Sequence, residues 1–355
     1  MKKRGIWQRA IGIILAGTLM GSLVTGCTAQ QTEQQAQESA VITLTDQVGR
    51  EVVLEKPAEQ IASSYYISTA ILVALGLEDN LVGIEKKADT RNLYKEAAPQ
   101  LLDLPAIGSG KGINVEETAA LAPDLVILPK KLQDSVASFE ELEIPVLVVD
   151  PETLENYEAC VALLGQATGT EERSESLLSY YEEKMDEVEN LTKDLTEEEK
   201  PPVYLAAGSD YLSTCTSKMY QNDLITMAGG RNVSGELTDG YWQNISGEQL
   251  LTWNPLYIFA VSYAEYALDD ILKDEALSAV TAVQEGNVKT FPSNLEPWDY
   301  PTPSSVLGIL WLTHELHPDL YKEEDYIKEA EAFYKEFFDI EVSKEDLGLE
   351  AVKAE

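Results

Sequence analysis

The stretch that decides the fold is residues 171–200, EERSESLLSYYEEKMDEVENLTKDLTEEEK. It contains neither Pro nor Gly, and Pro201-Pro202 end it. Apolar residues recur every three or four positions, with Glu and Lys between them: Leu178, Tyr181, Met185, Val188 and Leu195, with Leu191 or Thr192 at the missing step. This period predicts one amphipathic helix over 171–200, about 40 Å long. By itself the pattern also fits an ordinary surface helix.

Short apolar runs alternate with helical segments on both sides of this helix. Strand signals lie at 61–64, 81–84, 125–128 and 146–149 before it, and at 203–207, 257–261 and 288–291 after it. Such alternation predicts an α/β protein with parallel strand pairing. We therefore predict an N-terminal α/β lobe (41–170), a connecting helix (171–200) and a C-terminal α/β lobe (201–355), with a ligand cleft between facing strand ends.

The two lobes carry one repeated pattern. In VEETAALAPDLVI, Glu116 stands seven residues before Pro123, and in GEQLLTWNPLYIF, Glu248 stands seven residues before Pro255. In both segments a short helix precedes a Pro and then a buried strand. The repetition indicates two lobes of similar construction.

The amino terminus has the features of an export signal. Four basic residues precede the apolar run 11–19, and a small-residue stretch leads to Cys27. This pattern predicts a signal peptide over 1–26, too short to span a membrane. Cys27 after Thr25-Gly26 resembles a bacterial lipobox, so we expect a lipid anchor at Cys27 and a flexible Gln/Glu-rich tether over 27–40. A plain signal peptide cleaved elsewhere is the alternative.

Composition excludes several classes of protein. The chain has 355 residues, 44% of them hydrophobic, and a net charge of −36, which argues against nucleic-acid binding. Cys160 and Cys215 lie on opposite sides of the long helix, so we expect two buried thiols and no disulfide.

Three segments or patterns that would indicate catalysis are incomplete or absent. IGSGKG at 107–112 lacks the first Gly and the final Ser or Thr of a phosphate-binding loop. His314 and His317 are one residue too close to share the helix face that a zinc-protease motif needs. There is no G-x-S-x-G segment. We predict that the protein is not an enzyme and has neither an intrinsic cofactor nor a resident metal.

Five segments in order resemble the substrate-binding proteins of metal-chelate ABC importers, which serve cobalamin, ferric siderophores and haem: ITLTDQVGREVVLEKPAEQIAS, NVEETAALAPDLVI, MAGGRNV, YWQNISGEQLLTWNP and PWDYPTPSSVLGILWL. The resemblance covers nearly all of the chain after the tether. It implies two Rossmann-like α/β lobes joined by one long rigid helix. It also implies a monomer, held by its lipid on the outer face of the cell membrane, that delivers its ligand to a permease dimer with its ATPase.

The same resemblance assigns roles to particular residues. Glu116 and Glu248 match the acidic residues that contact the permease, although the helix macrodipole alone would also favour a carboxylate there. Trp242 matches an aromatic residue of the cleft in cobalamin-binding relatives. From their positions near strand ends we add Tyr65, Tyr66, Tyr211, Tyr263, Trp298 and Asp299 as ligand-binding candidates, with core packing as the alternative for each. Tyr65 or Tyr66 could also ligate a ferric centre as phenolate.

Basic pairs at strand ends raise a second possibility for the ligand. Lys86, Lys87, Lys130 and Lys131 stand out in so acidic a chain, and Ser304 occupies a position where many relatives have Arg. The lysines could bind an anionic ligand or simply be solvated. We predict capture of a ferric siderophore, a corrinoid or haem. The alternatives are a nickel chelate, molybdate or tungstate, or a surface lipoprotein that senses its ligand.

Overall fold

The computed structural model describes residues 41–349. The strands are β1 (Ile42–Thr45), β2 (Glu51–Leu54), β3 (Ile61–Ser63), β4 (Leu81–Glu85), β5 (Ala106–Ser109), β6 (Gly112–Ile113), β7 (Leu125–Pro129), β8 (Val146–Val149), β9 (Pro202–Ala206), β10 (Ser213–Cys215), β11 (Arg231–Asn232), β12 (Trp242–Asn244), β13 (Tyr257–Ala260) and β14 (Val288–Thr290).

The helices alternate with these strands through most of the chain. They are α1 (Tyr66–Ala74), α2 (Asn92–Ala97), α3 (Val115–Ala120), α4 (Val136–Glu140), α5 (Leu154–Thr168), α6 (Glu171–Thr192), α7 (Tyr220–Met227), α8 (Gly247–Trp253), α9 (Leu268–Leu272), α10 (Thr281–Glu285), α11 (Ser305–Leu316) and α12 (Glu323–Phe338). Over residues 41–349 no helix combines the length and the hydrophobicity that a membrane span requires.

The N-terminal lobe is built on a sheet of order β6-β5-β4-β3-β7-β8. All neighbours in it pair parallel except β5 and β6. The sequences LVILP of β7 and VLVV of β8 are fully buried, as expected for parallel strands covered by helices on both faces. The chain moves from β3 to β4 and β5 and later returns to β7 on the other side of β3. A crevice therefore opens outside the carboxyl ends of β3 and β7.

The C-terminal lobe has a second sheet of order β12-β10-β9-β13-β14, with β11 also paired to β9. Strands β9, β13 and β14 run parallel, whereas β10 and β12 form an antiparallel edge. The prediction of two α/β lobes with largely parallel sheets is confirmed.

The connecting helix α6 has 22 residues, which corresponds to about 33 Å. It is shorter than the predicted 171–200. The backbone N–H and the hydroxyl of Thr196 both donate to the Glu199 carboxylate, which closes a separate turn after Thr192. The buried stripe is Ser174, Leu177, Tyr181, Lys184, Val188 and Thr192, whereas the predicted Leu178 and Met185 are half-buried.

The helices behind the sheets join the two lobes. Tyr181 of α6 is fully buried, and its hydroxyl lies 2.9 Å from the Thr302 carbonyl and 2.9 Å from Ser305 Oγ. Arg173 in the first turn of α6 donates to the carbonyls of Ala74 at 3.0 Å and Glu336 at 2.7 Å, so it caps the last turns of both α1 and α12. One apolar core therefore runs continuously from the first sheet to the second.

Candidate functional site

The start of α1 and the loop after β13 both meet the loop before α11. The ring centroids of Tyr66 and Tyr300 lie 6.4 Å apart, and those of Tyr263 and Tyr300 lie 6.1 Å apart in an edge-to-face arrangement. Both distances are those of aromatic rings in direct contact. Tyr66 and Tyr263, two of the predicted ligand-binding residues, therefore meet at Tyr300 where the lobes face each other, and Tyr65, a third, interacts electrostatically with the same Tyr300.

Arg91 lies against this group of tyrosines and was not among the predicted site residues. It follows a 3₁₀ turn (Ala88–Thr90) and precedes α2, and its guanidinium carbon is 3.8 Å from the centre of the Tyr66 ring. This stacking is a cation–π contact. Among the described residues the guanidinium has no ion pair and no hydrogen-bond acceptor, and its Nε is buried. The sequence could have indicated Arg91 as a candidate, because it follows the carboxyl end of β4 closely.

Two buried carboxyl groups lie within the electrostatic field of Arg91. Glu85 accepts from Thr69 Oγ1 at 2.7 Å and from the Tyr94 hydroxyl at 2.9 Å. Burial raises the pKa of Glu85, although these hydrogen bonds and Arg91 oppose the rise. Glu296 Oε2 accepts from the N–H of Ser304 at 3.0 Å and from its hydroxyl at 2.6 Å, while Oε1 has no partner. Burial raises the pKa of Glu296 to about 7.

Asp299 is the third buried carboxyl group. Its Oδ2 accepts from the Tyr263 hydroxyl at 3.0 Å, its Oδ1 has no partner, and the residue is fully buried. Burial raises the pKa of Asp299 to about 7, against the hydrogen bond from Tyr263. At neutral pH a large share of the Glu296 and Asp299 side chains is therefore neutral.

The tyrosine hydroxyls at the cleft are protonated donors. Burial raises the pKa values of Tyr65, Tyr66 and Tyr263 far above the usual value, and nearby carboxylates add to the effect. Tyr65 donates to the Glu152 carboxylate at 3.3 Å. The Tyr66 hydroxyl is buried without a partner. A phenolate ligand to iron, which the sequence left open for Tyr65 or Tyr66, would have to overcome this preference for the neutral form.

The structure places Trp298 in the core, and it places Tyr211 at a surface depression of the C-terminal lobe. Trp298 has no exposed surface, and its indole N–H donates to the Tyr334 hydroxyl at 3.1 Å, so it packs in the core. The Tyr211 hydroxyl donates to Asp274 at 3.1 Å. Tyr211 lines a shallow surface depression of about 690 Å³ with Asp269, Asp270, Lys273 and Asp274, and its ring packs edge-to-face against Tyr266 at 5.6 Å. Their positions near strand ends could not reveal these partners.

The predicted lysines lie on the rim or on the outer surface. Lys130 forms an ion pair with Asp150 at 2.6 Å, and this hydrogen bond raises the Lys130 pKa. Lys131 interacts electrostatically with Glu152, which is near Tyr65. Lys86 and Lys87 are exposed in the turn after β4. The pair after β7 therefore borders the cleft beside Glu152 and Tyr65.

Trp242 begins the edge strand β12 and is 36% exposed. The preceding Tyr241 interacts electrostatically with Asp150, Glu152 and Lys130 of the other lobe. The start of β12 consequently forms the rim of the C-terminal lobe opposite the loop after β7. An exposed indole at this rim offers apolar surface to a ligand.

Glu116 and Glu248 occupy equivalent, exposed places in the two lobes. Each lies in the first turn of a short helix, whose N-terminus is capped by Asn114 in α3 and by Ser246 in α8. Ala122 and Asn254 take left-handed conformations directly before Pro123 and Pro255. The repeated pattern of the sequence is thus also repeated in the backbone.

The remaining predictions concern thiols, metal ions and the anchor. Cys160 and Cys215 are buried and free. Within residues 41–349 no group of three or more His, Cys, Asp or Glu side chains is placed to hold a metal ion. The signal peptide, Cys27 and the tether up to residue 40 lie outside the described residues.

Known proteins share this sequence pattern. Residues 61–295 match the family described as periplasmic binding protein. The chain is 24% identical to the molybdate-binding protein MolA of Haemophilus influenzae, over 89% of this chain and 96% of that protein. It is 26% identical to the vitamin B12-binding protein of Yersinia pestis, over 60% of this chain and 73% of that protein.

Solved structures share the fold. MolA of Haemophilus influenzae bound to molybdate matches with a TM-score of 0.77 and 21% identity, over 85% of this chain and 99% of that one. A periplasmic solute binding protein of Veillonella parvula matches with a TM-score of 0.75 and 24% identity, over 87% and 97%. Helicobacter pylori CeuE in complex with nickel and histidine matches with a TM-score of 0.74 and 18% identity, over 84% and 96%.

The family match covers about two thirds of the chain and includes both six-stranded sheets from β3 to β14. These relatives are binding proteins and not enzymes. The chain therefore belongs to the periplasmic binding protein family, the extracytoplasmic solute-binding proteins of ABC transporters.

Proposed function

We propose that the protein captures a compact oxyanion, such as molybdate or tungstate, between its lobes and delivers it to an ABC importer permease. The observation that carries this proposal is Arg91, whose guanidinium is stacked on Tyr66 and has no acceptor among the described residues. An Arg fork can donate two parallel hydrogen bonds to an oxyanion or a carboxylate. The buried, unpartnered Tyr66 hydroxyl adds a neutral donor nearby.

The size of the cleft supports a compact ligand. Tyr66 and Tyr300 already touch across the lobes at 6.4 Å, so a flat macrocycle has no space between these rings. Backbone contacts hold the lobes together nearby, since Leu93 N–H donates to the Leu295 carbonyl at 3.2 Å and Tyr220 N–H to the Glu152 carbonyl at 2.8 Å. The likeness to MolA, which spans nearly all of both chains, agrees with this choice.

A metal chelate is the second candidate, and the exposed rim favours it. Trp242 and Tyr241 present aromatic surface opposite Lys130 and Lys131, where the organic part of a siderophore or corrinoid could rest. In that case Arg91 would bind a carboxylate of the chelate.

Delivery would follow the arrangement that the resemblance implies. We propose that Glu116 and Glu248 contact the two halves of the permease, because equivalent exposed carboxylates on similar lobes suit a partner with two similar halves. We also propose that Cys27 carries a lipid that holds the protein at the outer face of the membrane. A sensor of the same fold would bind the ligand without supporting uptake.

The test is thermal unfolding of residues 40–355 with a panel of ligands. The panel contains molybdate, tungstate and sulfate, and also cobalamin, cobinamide, haemin, ferric siderophores and nickel–histidine. A ligand at a hundredfold its dissociation constant adds about 2.7 kcal/mol to the free energy of unfolding. We expect molybdate or tungstate to raise Tm, and Arg91→Gln to abolish the rise.

Arg231→Gln is the matched control, because Arg231 is an exposed Arg in the C-terminal lobe. It should leave the rise in Tm unchanged. A response to chelates alone would replace the oxyanion proposal by the chelate. An oxyanion response that survives in Arg91→Gln would refute the role of Arg91.

A further inference from the structure

The charges around the cleft do not balance for an anionic ligand. Arg91 is the cation whose field reaches Glu85 and Glu296, and neither carboxylate forms an ion pair with it. Both carboxyl groups are buried. If both were ionised, an anion that binds Arg91 would meet two negative charges in a region of low dielectric constant.

Among Glu296 and its charged or titratable neighbours, Glu296 is the group whose charge can change near neutral pH. Glu296 interacts electrostatically with Tyr66 of α1, Tyr157 of α5, Tyr334 of α12 and Arg91. Burial raises the pKa values of the three tyrosines, so they remain neutral through the physiological range. Arg91 is a permanent cation in water. Each oxygen of Glu85 already accepts from a hydroxyl donor, Oε2 from Thr69 and Oε1 from Tyr94.

The hydrogen bonds of Glu296 are suited to one added proton. Oε2 holds both donors from Ser304, whereas Oε1 is buried and has no partner. A proton on Oε1 therefore breaks no existing hydrogen bond. The positive charge of Arg91 favours the ionised form of Glu296, so neutralising that charge favours the protonated form.

We propose that Glu296 takes up a proton from solvent when an anion binds Arg91, so that the site captures an anion and a proton together. This inference rests on the proposed function. Glu296 then determines which net charge the site accepts, although it need not touch the ligand. Because binding and protonation are linked, the affinity for the anion should fall as pH rises above the protonation midpoint of Glu296 in the free protein, by at most about tenfold per pH unit. Well below that midpoint the affinity should not depend on pH.

The first arm of the test needs no ligand. The pH dependence of the free energy of unfolding is compared for the wild type, Arg91→Gln, Arg91→Lys, Glu296→Gln and the double variant Arg91→Gln/Glu296→Gln. We expect Arg91→Gln to shift the titration of Glu296 to higher pH and Arg91→Lys to shift it less. In the Glu296→Gln background, Arg91→Gln should cause a smaller shift, because only its effect on Glu85 remains.

Asp299→Asn serves as the control for this arm. Arg91 is not among the groups that set the ionisation of Asp299, so the shift caused by Arg91→Gln should persist in the Asp299→Asn background. The inference would be overturned if Arg91→Gln left the pH dependence of unfolding unchanged, or if its effect were as large in the Glu296→Gln background as with Glu296 present.

The second arm uses molybdate and calorimetry in two buffers, Tris and PIPES, which differ in ionisation enthalpy. Near pH 7 the wild type should take up a fraction of one proton per bound molybdate, and Glu296→Gln should take up none. Binding without buffer dependence would overturn the inference. If molybdate fails to bind the wild type, the oxyanion proposal fails, and the ligand-free arm alone decides whether Arg91 and Glu296 are coupled.

Discussion

Asp299→Asn offers a direct test of how burial controls the charge of this cleft. Asp299 is fully buried, its Oδ1 has no partner, and its pKa is raised to about 7 from a usual value of 3.8. Between these two values the folded protein binds more protons than the unfolded chain. Stability must therefore decrease as pH rises through this window, and level off above the folded pKa.

The magnitude follows from the displacement. A shift of about 3 units corresponds to about 4 kcal/mol, of which about 2.5 kcal/mol falls between pH 5 and pH 8. Asn cannot ionise, so the free-energy difference between wild type and Asp299→Asn should change by about this amount over the same range, in favour of Asn at high pH. Urea unfolding at pH 5, 6, 7 and 8 measures it.

Asp319→Asn is the control, because the Asp319 side chain is fully exposed in the folded protein. Its curve should run parallel to that of the wild type. If Asp299→Asn also ran parallel to the wild type, the Asp299 carboxyl would ionise as readily in the fold as in water, and the reasoning from burial would be refuted.

The remaining predictions concern packing and docking. Tyr181→Phe should lower the free energy of unfolding by about 1–3 kcal/mol, because it leaves buried acceptors unpaired. The Tyr180 hydroxyl bonds to the partly exposed Glu329, so Tyr180→Phe should cost less in the same urea titration. Equal costs would contradict this. Gly308→Ala would place a Cβ 2.4 Å from the Trp298 carbonyl oxygen and should cost about 1–3 kcal/mol, whereas Gly112→Ala, with nothing within 4 Å, should be nearly neutral. Tm values that rank the two Gly variants otherwise would argue against tight packing of α11 on the loop before it. Reversing Glu116 and Glu248 to Arg should abolish cellular uptake and leave ligand affinity unchanged, and unaltered uptake would exclude the docking role.

Several elements could be predicted because their causes are local. The runs of apolar, β-branched residues in β7, β8 and β13 indicate strands wherever they occur in the chain. The hairpin of β1 and β2 follows from two short strands around Asp46 and Gly49. The repeated helix–Pro–strand unit likewise indicated two similar lobes.

Residues with distant partners were harder to predict. The position of Trp298 near a strand end suggested the cleft, but its indole N–H donates to the Tyr334 hydroxyl of α12 within the core. The length of α6 was overestimated because the apolar spacing continues past Thr192, whereas the Thr196–Glu199 turn ends the helix. In both cases a competing hydrogen bond decided the outcome.

The sequence by itself determined the alternation of strands and helices, the two similar lobes and the helix that joins them, since hydrophobic period and turn chemistry act over a few residues. Only the tertiary structure decided which strand-end residues face each other. Tyr66 meets Tyr300 and Arg91, and Asp299 meets Tyr263, through contacts between segments that are far apart in the chain. The charge of the cleft is likewise decided there, because desolvation depends on how the whole fold encloses Glu296 and Asp299.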